Sequence, residues 1–386
     1  MVTRKQEHRH RGFGILRLAT QARRAASIVI SRSLQRPPKY LPVLLLFVTE
    51  RCNLRCRMCG LEERRRLNTT AGELTTQEYK ELLGSAARLG TSFVSISGGE
   101  ALLRNDIADI VRYADEMGMA PHLCTNGLLL TEERIITLRD AGVAAISISM
   151  DSYEAALHDL LRGENNFRKT EEALRLLRRT APHIQVGINY LITRQNFRHL
   201  DQMVDYAEGL GVHQLKFSPI HTNLLHREKP QESFQELLFR EEDLPELEEA
   251  LNRLKVRCKS TRLITTSAAF HDGIVPFFRN REHFRCYAGY AVCAIGPQGQ
   301  VAPCCDMDSR FSVKDRPLHE IWRDSNFHKL RLQVHQCSVP CWDTTNTELS
   351  LRLHPPSALR NIRAFWKDFR FYTGRRALES DNTKEE

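Results

Sequence analysis

Six apolar, β-rich runs alternate with helix-period segments between residues 43 and 256, and no other feature restricts the fold of this 386-residue chain as tightly. The runs are Val43–Val48, Phe93–Ser97, Pro121–Cys124, Ala145–Ser149, Gln185–Ile192 and Gln214–Ser218. They carry few charges, which reads as strands buried on both faces of a parallel sheet. The intervening patterns predict helices over Thr76–Leu89, Asp106–Met117, Glu132–Asp140, Phe167–Thr180 and Phe197–Leu210, with Leu244–Lys255 after the last run. Gly90, Gly118, Gly142 and Gly211 each stand just past a helix and just before the next run. Glycine at that place supplies the left-handed cap that turns the chain back. Six such βα units can form an open doubly wound sheet or a curved partial barrel, and the pattern does not choose. In both, the reactive loops lie at the carboxyl ends of the strands.

Charge and cysteine content narrow the class. The chain carries 56 Lys and Arg against 47 Asp and Glu, a net charge of +9. Residues 1–39 hold ten of those basic residues and one acid, so the remainder is balanced. A globally basic nucleic-acid binder is thereby excluded, and nucleic acid is not an expected partner. The chain has 11 cysteines, an odd count that argues against a closed disulfide framework. Ala25–Ile30 is too short and too polar-flanked for a signal-peptide core, and no run approaches the ~20 apolar residues of a membrane span. The expected compartment is a reducing cytoplasm, where cysteines serve more often as metal ligands or catalytic groups than as cross-links.

The sharpest motif follows the first strand: Cys52, Cys56 and Cys59 in a CxxxCxxC spacing on a loop at its carboxyl end. Three thiolates can hold three irons of a cubane cluster and leave the fourth open, whereas zinc usually takes four ligands in paired groups. The next strand ends in Ser97-Gly98-Gly99-Glu100. Two glycines let backbone approach a ligand closely, and the carboxylate can take an ammonium.

Together these residues resemble the radical S-adenosylmethionine (SAM) enzymes, over roughly residues 40–256. The resemblance implies a partial (β/α)6 TIM-type barrel with a 4Fe–4S cluster on Cys52, Cys56 and Cys59. In that family the open iron binds SAM, and reductive cleavage gives a 5′-deoxyadenosyl radical that removes hydrogen from substrate. Gly98, Gly99 and Glu100 would hold the methionine amino group, and Met58 stands where the family often has an aromatic residue near the adenine. Asn126, Ser149, Asp151, Arg162 and Asn189, at later strand ends, are further expected SAM contacts; Ser149 and Asp151 suit the ribose and Arg162 the carboxylate. No catalytic residue beyond the cluster is assigned.

Residues 257–350 hold seven of the cysteines and a hairpin pattern whose turn is Pro297-Gln-Gly299-Gln. Cys286 and Cys304 flank that hairpin, and a helix over Leu318–Leu332, containing Trp322 and Arg331, leads to Cys337 and Cys341. Four thiolates around one site suit an iron–sulfur cluster, with zinc the alternative. The run resembles the SPASM/twitch extension of radical SAM enzymes and implies one auxiliary 4Fe–4S cluster on Cys286, Cys304, Cys337 and Cys341, in the shorter twitch-like form. Cys293 and Cys305 are reserve ligands, while Cys124 and Cys258 read as packing.

The expected organisation is therefore a basic arm (1–39), a barrel (40–256), an auxiliary cluster domain (257–350) and a tail (351–386). Gly12–Gln35 reads as an amphipathic helix rich in arginine, and residues 359–376 repeat the idea with aromatics. Such helices suit an anionic membrane surface, or else pack on the barrel with snorkelling arginines. The expected activity is radical modification of a peptide or protein. The alternatives are radical modification of a lipid, sugar or other small metabolite at the membrane surface, and non-catalytic metal binding. An electron donor such as flavodoxin or ferredoxin is the implied protein partner.

Overall fold

The computed structural model describes residues 15–59, 70–221, 232–280, 284–339 and 341–354, with Lys367 and Phe371. The expected tail otherwise lies outside the described residues. The six predicted runs form β1 (Val43–Phe47), β2 (Phe93–Ser97), β3 (Ala120–Thr125), β4 (Ala145–Ser149), β5 (Gln185–Ile192) and β6 (Gln214–Pro219). They lie side by side in sequence order and pair in parallel. Each of the four predicted cap glycines has positive φ, from 68° at Gly211 to 94° at Gly142, where a side chain would be strained. A helix over Ala155–Arg162, not anticipated from the sequence, follows β4 and carries Arg162.

The two faces of the sheet are unequally buried: only β4, with Ala145 and Ser147 covered as well as Ile146 and Ile148, meets the expectation of two buried faces along most of its length. Leu44, Leu46, Val94, Ile96, Ile146, Ile148, Val186 and Ile188 are fully covered and share one core with Leu82, Ile110, Leu138, Leu174 and Met203 of the surrounding helices. The alternate residues, among them Ser95, Ser97, Cys124, Ser149, Asn189, Lys216 and Ser218, remain half-buried. Those named are small or polar, and Leu45, Phe47, Phe93 and Leu191 share the half-buried state with them. The βα-unit helices line the face of the fully covered residues, the arrangement of a partial (β/α)6 barrel rather than of a doubly wound sheet.

The same sheet continues past both edges. β7 (Ile264–Thr265) extends it beyond β6. At the other edge, β8 (Val292–Ile295) pairs in parallel with β1, and β9 (Val301–Ala302) returns antiparallel. The predicted hairpin is therefore hydrogen-bonded to the barrel, and no break in the sheet separates the two regions. The predicted helix over Leu318–Leu332 is divided at Asp324 into Leu318–Arg323 and Ser325–Leu332. The Asp324 carboxylate accepts from the amides of Asn326 (2.7 Å) and Phe327 (3.1 Å), capping the second helix.

The amphipathic N-terminal segment forms a helix over Ile15–Ser33. Its far end packs on the chain: Ile28 is buried with Tyr287, Tyr290 and Ala291. Arg32 Nε donates to the Cys286 carbonyl at 2.6 Å, and its guanidinium lies over the Tyr287 ring. Ile30 and Leu34, each 56% exposed, lie on the other side.

Candidate active site

The two motifs of the barrel meet backbone to backbone. Gly99 N donates to Thr49 O and Glu100 N to Arg51 O, both at 2.7 Å, so the Gly-Gly-Glu turn lies along the segment entering Cys52. A Cβ at Gly98 would stand 2.5 Å from Thr49 O, and one at Gly99 would collide with Arg51 O. The cysteine loop thus fills the space that a side chain at either glycine would need.

Glu100 is 1% exposed. Its Oε1 accepts from the Thr125 hydroxyl (2.7 Å) and Leu102 N (3.0 Å), and its Oε2 from Asn126 N (2.8 Å). Burial raises its pKa, and those donors act in the opposite direction. The carboxylate expected to meet an ammonium thus ties the end of β2 to the end of β3. Asn126 is engaged too: its Nδ2 donates to Asn53 Oδ1 at 2.7 Å, and its Oδ1 accepts from Leu128 N.

The cysteine loop docks on the helix Ala155–Arg162. Arg57 N donates to Leu161 O at 3.0 Å, and the Cys56 thiol faces Arg162 O at 3.9 Å. Burial pushes the Cys56 thiol up to about 11, while the Arg162 charge pulls it down and Cys59, Asp151 and Cys52 push it further up. Cys52 and Cys59 thus lie near enough to act on the Cys56 thiol. Arg162 Nε donates to Asp151 Oδ2 at 2.5 Å, and Asp151 Oδ1 accepts from Leu191 N at 2.8 Å. Asp151 is fully buried, and its carboxylate braces Arg162 and β5. Ser149 and Asn189 stand in register on the half-buried inner face. Met58, 5% exposed, is wedged among Leu161, Ile220, Phe234 and Leu237.

The sequence reading missed the layer beneath the loop. Arg104 donates to the carbonyls of Val48 (3.2 Å) and Leu74 (2.9 Å), and pairs with Glu73 and Asp106 at 3.1 and 2.7 Å. Thr49 Oγ1 donates to Glu73 Oε1 at 2.6 Å. The only available signal was an arginine four residues after Glu100.

In the second region, Cys286 and Cys304 border a small apolar patch of Ala288, Val292 and Val334. Burial pushes the Cys286 thiol up to about 12, with Cys304, Asp343 and Cys337 adding to it. Cys341 is raised as well, first by burial and then by Asp343, Cys286, Cys304 and Cys337. Cys304 and Cys337 thus lie near enough to act on both Cys286 and Cys341. Cys305 and Asp306 place ligand atoms within 4.8 Å of each other and of Cys304, the only such group among the described residues. Neither Cys52, Cys56 and Cys59 nor the four predicted auxiliary ligands close that tightly as a set. Cys293 is fully buried in β8 with its thiol toward Ala302 O at 3.3 Å, a packing role across the hairpin. Arg331 is also fully buried: it donates to the carbonyls of Gly289 and Trp322 and lies over the Trp322 ring. His221, just past β6, accepts from Trp342 N at 2.7 Å, a link that no sequence signal announced.

Residues 46–207 match the Radical SAM superfamily, and residues 286–343 match an iron–sulfur cluster-binding domain. The AdoMet-dependent heme synthase of Oleidesulfovibrio alaskensis is 30% identical over 301 residues, 73% of this chain and 74% of that protein. The chain belongs to the radical SAM superfamily. The PqqA peptide cyclase of Bradyrhizobium diazoefficiens is also 30% identical, over 75% of this chain and 74% of that protein. Among solved structures, Streptococcus suis SuiB bound to precursor peptide SuiA superposes with a TM-score of 0.61 at 16% identity, covering 80% of this chain and 70% of that one. Native anSMEcpe with bound AdoMet gives 0.58 at 17%, covering 89% and 99%. At those identities the superpositions speak for the radical SAM fold. A radical SAM enzyme with this C-terminal domain works with a 4Fe–4S cluster, SAM and auxiliary iron–sulfur. No helix among the described residues is long and apolar enough to cross a membrane.

Proposed function

We propose that this enzyme removes a hydrogen atom from a peptide or protein substrate at the mouth of the barrel. The observation that carries the site is the cysteine loop, pinned backbone to backbone by the Gly-Gly-Glu turn. The matches to the Radical SAM superfamily and to an iron–sulfur cluster-binding domain support clusters over zinc in both places. Cys52, Cys56 and Cys59 would hold one cluster, and Cys286, Cys304, Cys337 and Cys341 the auxiliary one. When bound, the first cluster and SAM supply a 5′-deoxyadenosyl radical that takes hydrogen from the substrate.

The protein's own groups orient and enclose. The Gly98 and Gly99 backbone borders the methionine site, and Glu100 keeps that turn in register with Asn126. Arg162, braced by Asp151, is available to a carboxylate. Ser149 and Asn189 offer a hydroxyl and an amide on the open inner face, and Met58 seals the loop's apolar side. An external electron donor such as flavodoxin or ferredoxin belongs to this reading, as does a cytoplasmic location. The exposed Ile30 on a basic helix, with Leu34 just past its end, supports peripheral contact with an anionic membrane.

The peptide substrate is supported by the names of two relatives, PqqA peptide cyclase and SuiB with its precursor peptide. A second reading, a small metabolite as substrate, is supported by the heme synthases of Oleidesulfovibrio alaskensis and Methanosarcina barkeri, each 30% identical. The test is anaerobic reconstitution with SAM and dithionite, following 5′-deoxyadenosine. Candidate precursor peptides and a tetrapyrrole are then compared for a mass change matched to turnover. Failure to form 5′-deoxyadenosine would sink the radical reading, and modification of the tetrapyrrole alone would replace the peptide by a metabolite.

A further inference from the structure

We propose that Arg32, on the N-terminal helix, is a positioning residue of the auxiliary site, which fixes the turn carrying Cys286 and raises the reduction potential of the cluster there; this rests on the reading of Cys286 as an auxiliary-cluster ligand. Arg32 lies outside both regions that match a family model. An arginine in the last turn of a helix ordinarily reaches into water, where it also complements the helix dipole. Arg32 is only 6% exposed. Its Nε donates to the Cys286 carbonyl at 2.6 Å, 254 positions along the chain, and its guanidinium carbon lies 5.2 Å from the centre of the Tyr287 ring. The groups whose charges act on it are Arg285, Tyr287, Cys286 and Tyr290, and among the described residues no carboxylate pairs with it.

The contact falls on a turn that is defined at several points. The Cys286 thiol accepts from Ala288 N at 3.4 Å, Tyr287 N donates to Ser350 Oγ at 3.0 Å, and Gly289 N donates to Val292 O at 2.8 Å. Arg32 adds the donor at the Cys286 carbonyl. Its helix is held there by its own neighbours: Ile28 is buried with Tyr287, Tyr290 and Ala291, and Ser33 Oγ accepts from Arg285 Nη2 at 3.2 Å. Four thiolates make an iron–sulfur cluster a net anion, and each added electron makes it more so. A buried cation beside one ligand favours the reduced state, because little water screens it. Asp343 acts on the Cys286 thiol with the opposite sign, while its Oδ1 accepts from Thr345 N and Asn346 N. Arg285 is exposed. Both stay in place when Arg32 is replaced, so the difference reads Arg32 alone.

The test is the midpoint potential of the auxiliary cluster in the full-length reconstituted protein. The titration is followed by electron paramagnetic resonance, and the auxiliary signal is the one that persists when Cys52, Cys56 and Cys59 are replaced by alanine. Arg32→Gln retains a side-chain donor and removes the charge. The reduction equilibrium is expected to fall roughly tenfold, about 59 mV for one electron, with iron content unchanged. Arg32→Lys keeps the charge and should stay within about twofold of the wild type. Arg285→Met removes an exposed charge and should move the midpoint less than Arg32→Gln does. A wild-type midpoint in Arg32→Gln, an equal fall in Arg32→Lys, or a larger one in Arg285→Met overturns the proposal and leaves the auxiliary cluster in place. Absence of iron from the cysteine variant would instead refute the cluster reading, and the proposal with it.

Discussion

The backbone amide of Trp342 donates to Nε2 of His221 at 2.7 Å, joining the residue after Cys341 to the chain that leaves β6. Both residues are buried, the Trp342 indole N–H reaches Phe270 O at 2.8 Å, and a side chain at Gly273 would collide with that indole. The auxiliary region is thereby positioned against the barrel mouth by side-chain and backbone packing as well as by the sheet. His221→Ala leaves a buried N–H without its acceptor, a loss of about 1–3 kcal/mol. The expected result is a lower thermal midpoint with an altered electron paramagnetic resonance signal from the auxiliary cluster and an unchanged signal from the other.

Replacing Cys52, Cys56 and Cys59 together by alanine removes one ligand set and leaves the other. 5′-Deoxyadenosine formation should fall to background while about four irons per chain remain. Iron analysis showing none would contradict an auxiliary cubane, and retained SAM cleavage would contradict the barrel assignment.

Gly99→Ala tests the packing of the turn on the cysteine loop. The added methyl meets the Arg51 carbonyl oxygen, which is backbone and cannot swing aside. We expect the loop to shift, with at least roughly half of the barrel-site iron lost and a destabilisation of ~1–3 kcal/mol, the scale of overpacking. Normal iron content at that site would show the fit to be looser than the geometry requires.

Asp151→Ala removes the partner of Arg162 and leaves a largely buried guanidinium uncompensated. Loss of one member of a buried pair costs about 3–5 kcal/mol. Urea unfolding should register that loss, and Asp151→Asn, which keeps a hydrogen-bond acceptor, should recover part of it.

Acid should destabilise the fold through buried histidines. Burial pushes His271 down to about 4, and His158 also to about 4, with the Arg162 charge assisting there. Both are neutral in the fold, whereas an unfolded histidine titrates near 6.5. Between those values the unfolded chain binds more protons, so stability present above pH ~6.5 is lost as pH falls toward 4. The thermal midpoint followed by circular dichroism should be lower at pH 5 than at pH 7.5, and His271→Gln should flatten that difference.

The sequence by itself determined the elements whose causes are local. Strand runs, helix periods and the cap glycines Gly90, Gly118, Gly142 and Gly211 were legible because each depends on neighbours a few residues away. The CxxxCxxC and Gly-Gly-Glu motifs were legible for the same reason. The tertiary structure decided the partners. Glu100 meets Asn126 across 26 residues, Arg162 meets Asp151 across 11 through an unanticipated helix, and Trp342 meets His221 across 121. It also decided that β8 pairs beside β1 and that Lys216 faces the barrel interior. A polar side chain carries no local mark of whether it will be spent on a ligand or on another part of its own chain. That assignment follows from which donors and acceptors the closed sheet brings within hydrogen-bond reach and removes from water.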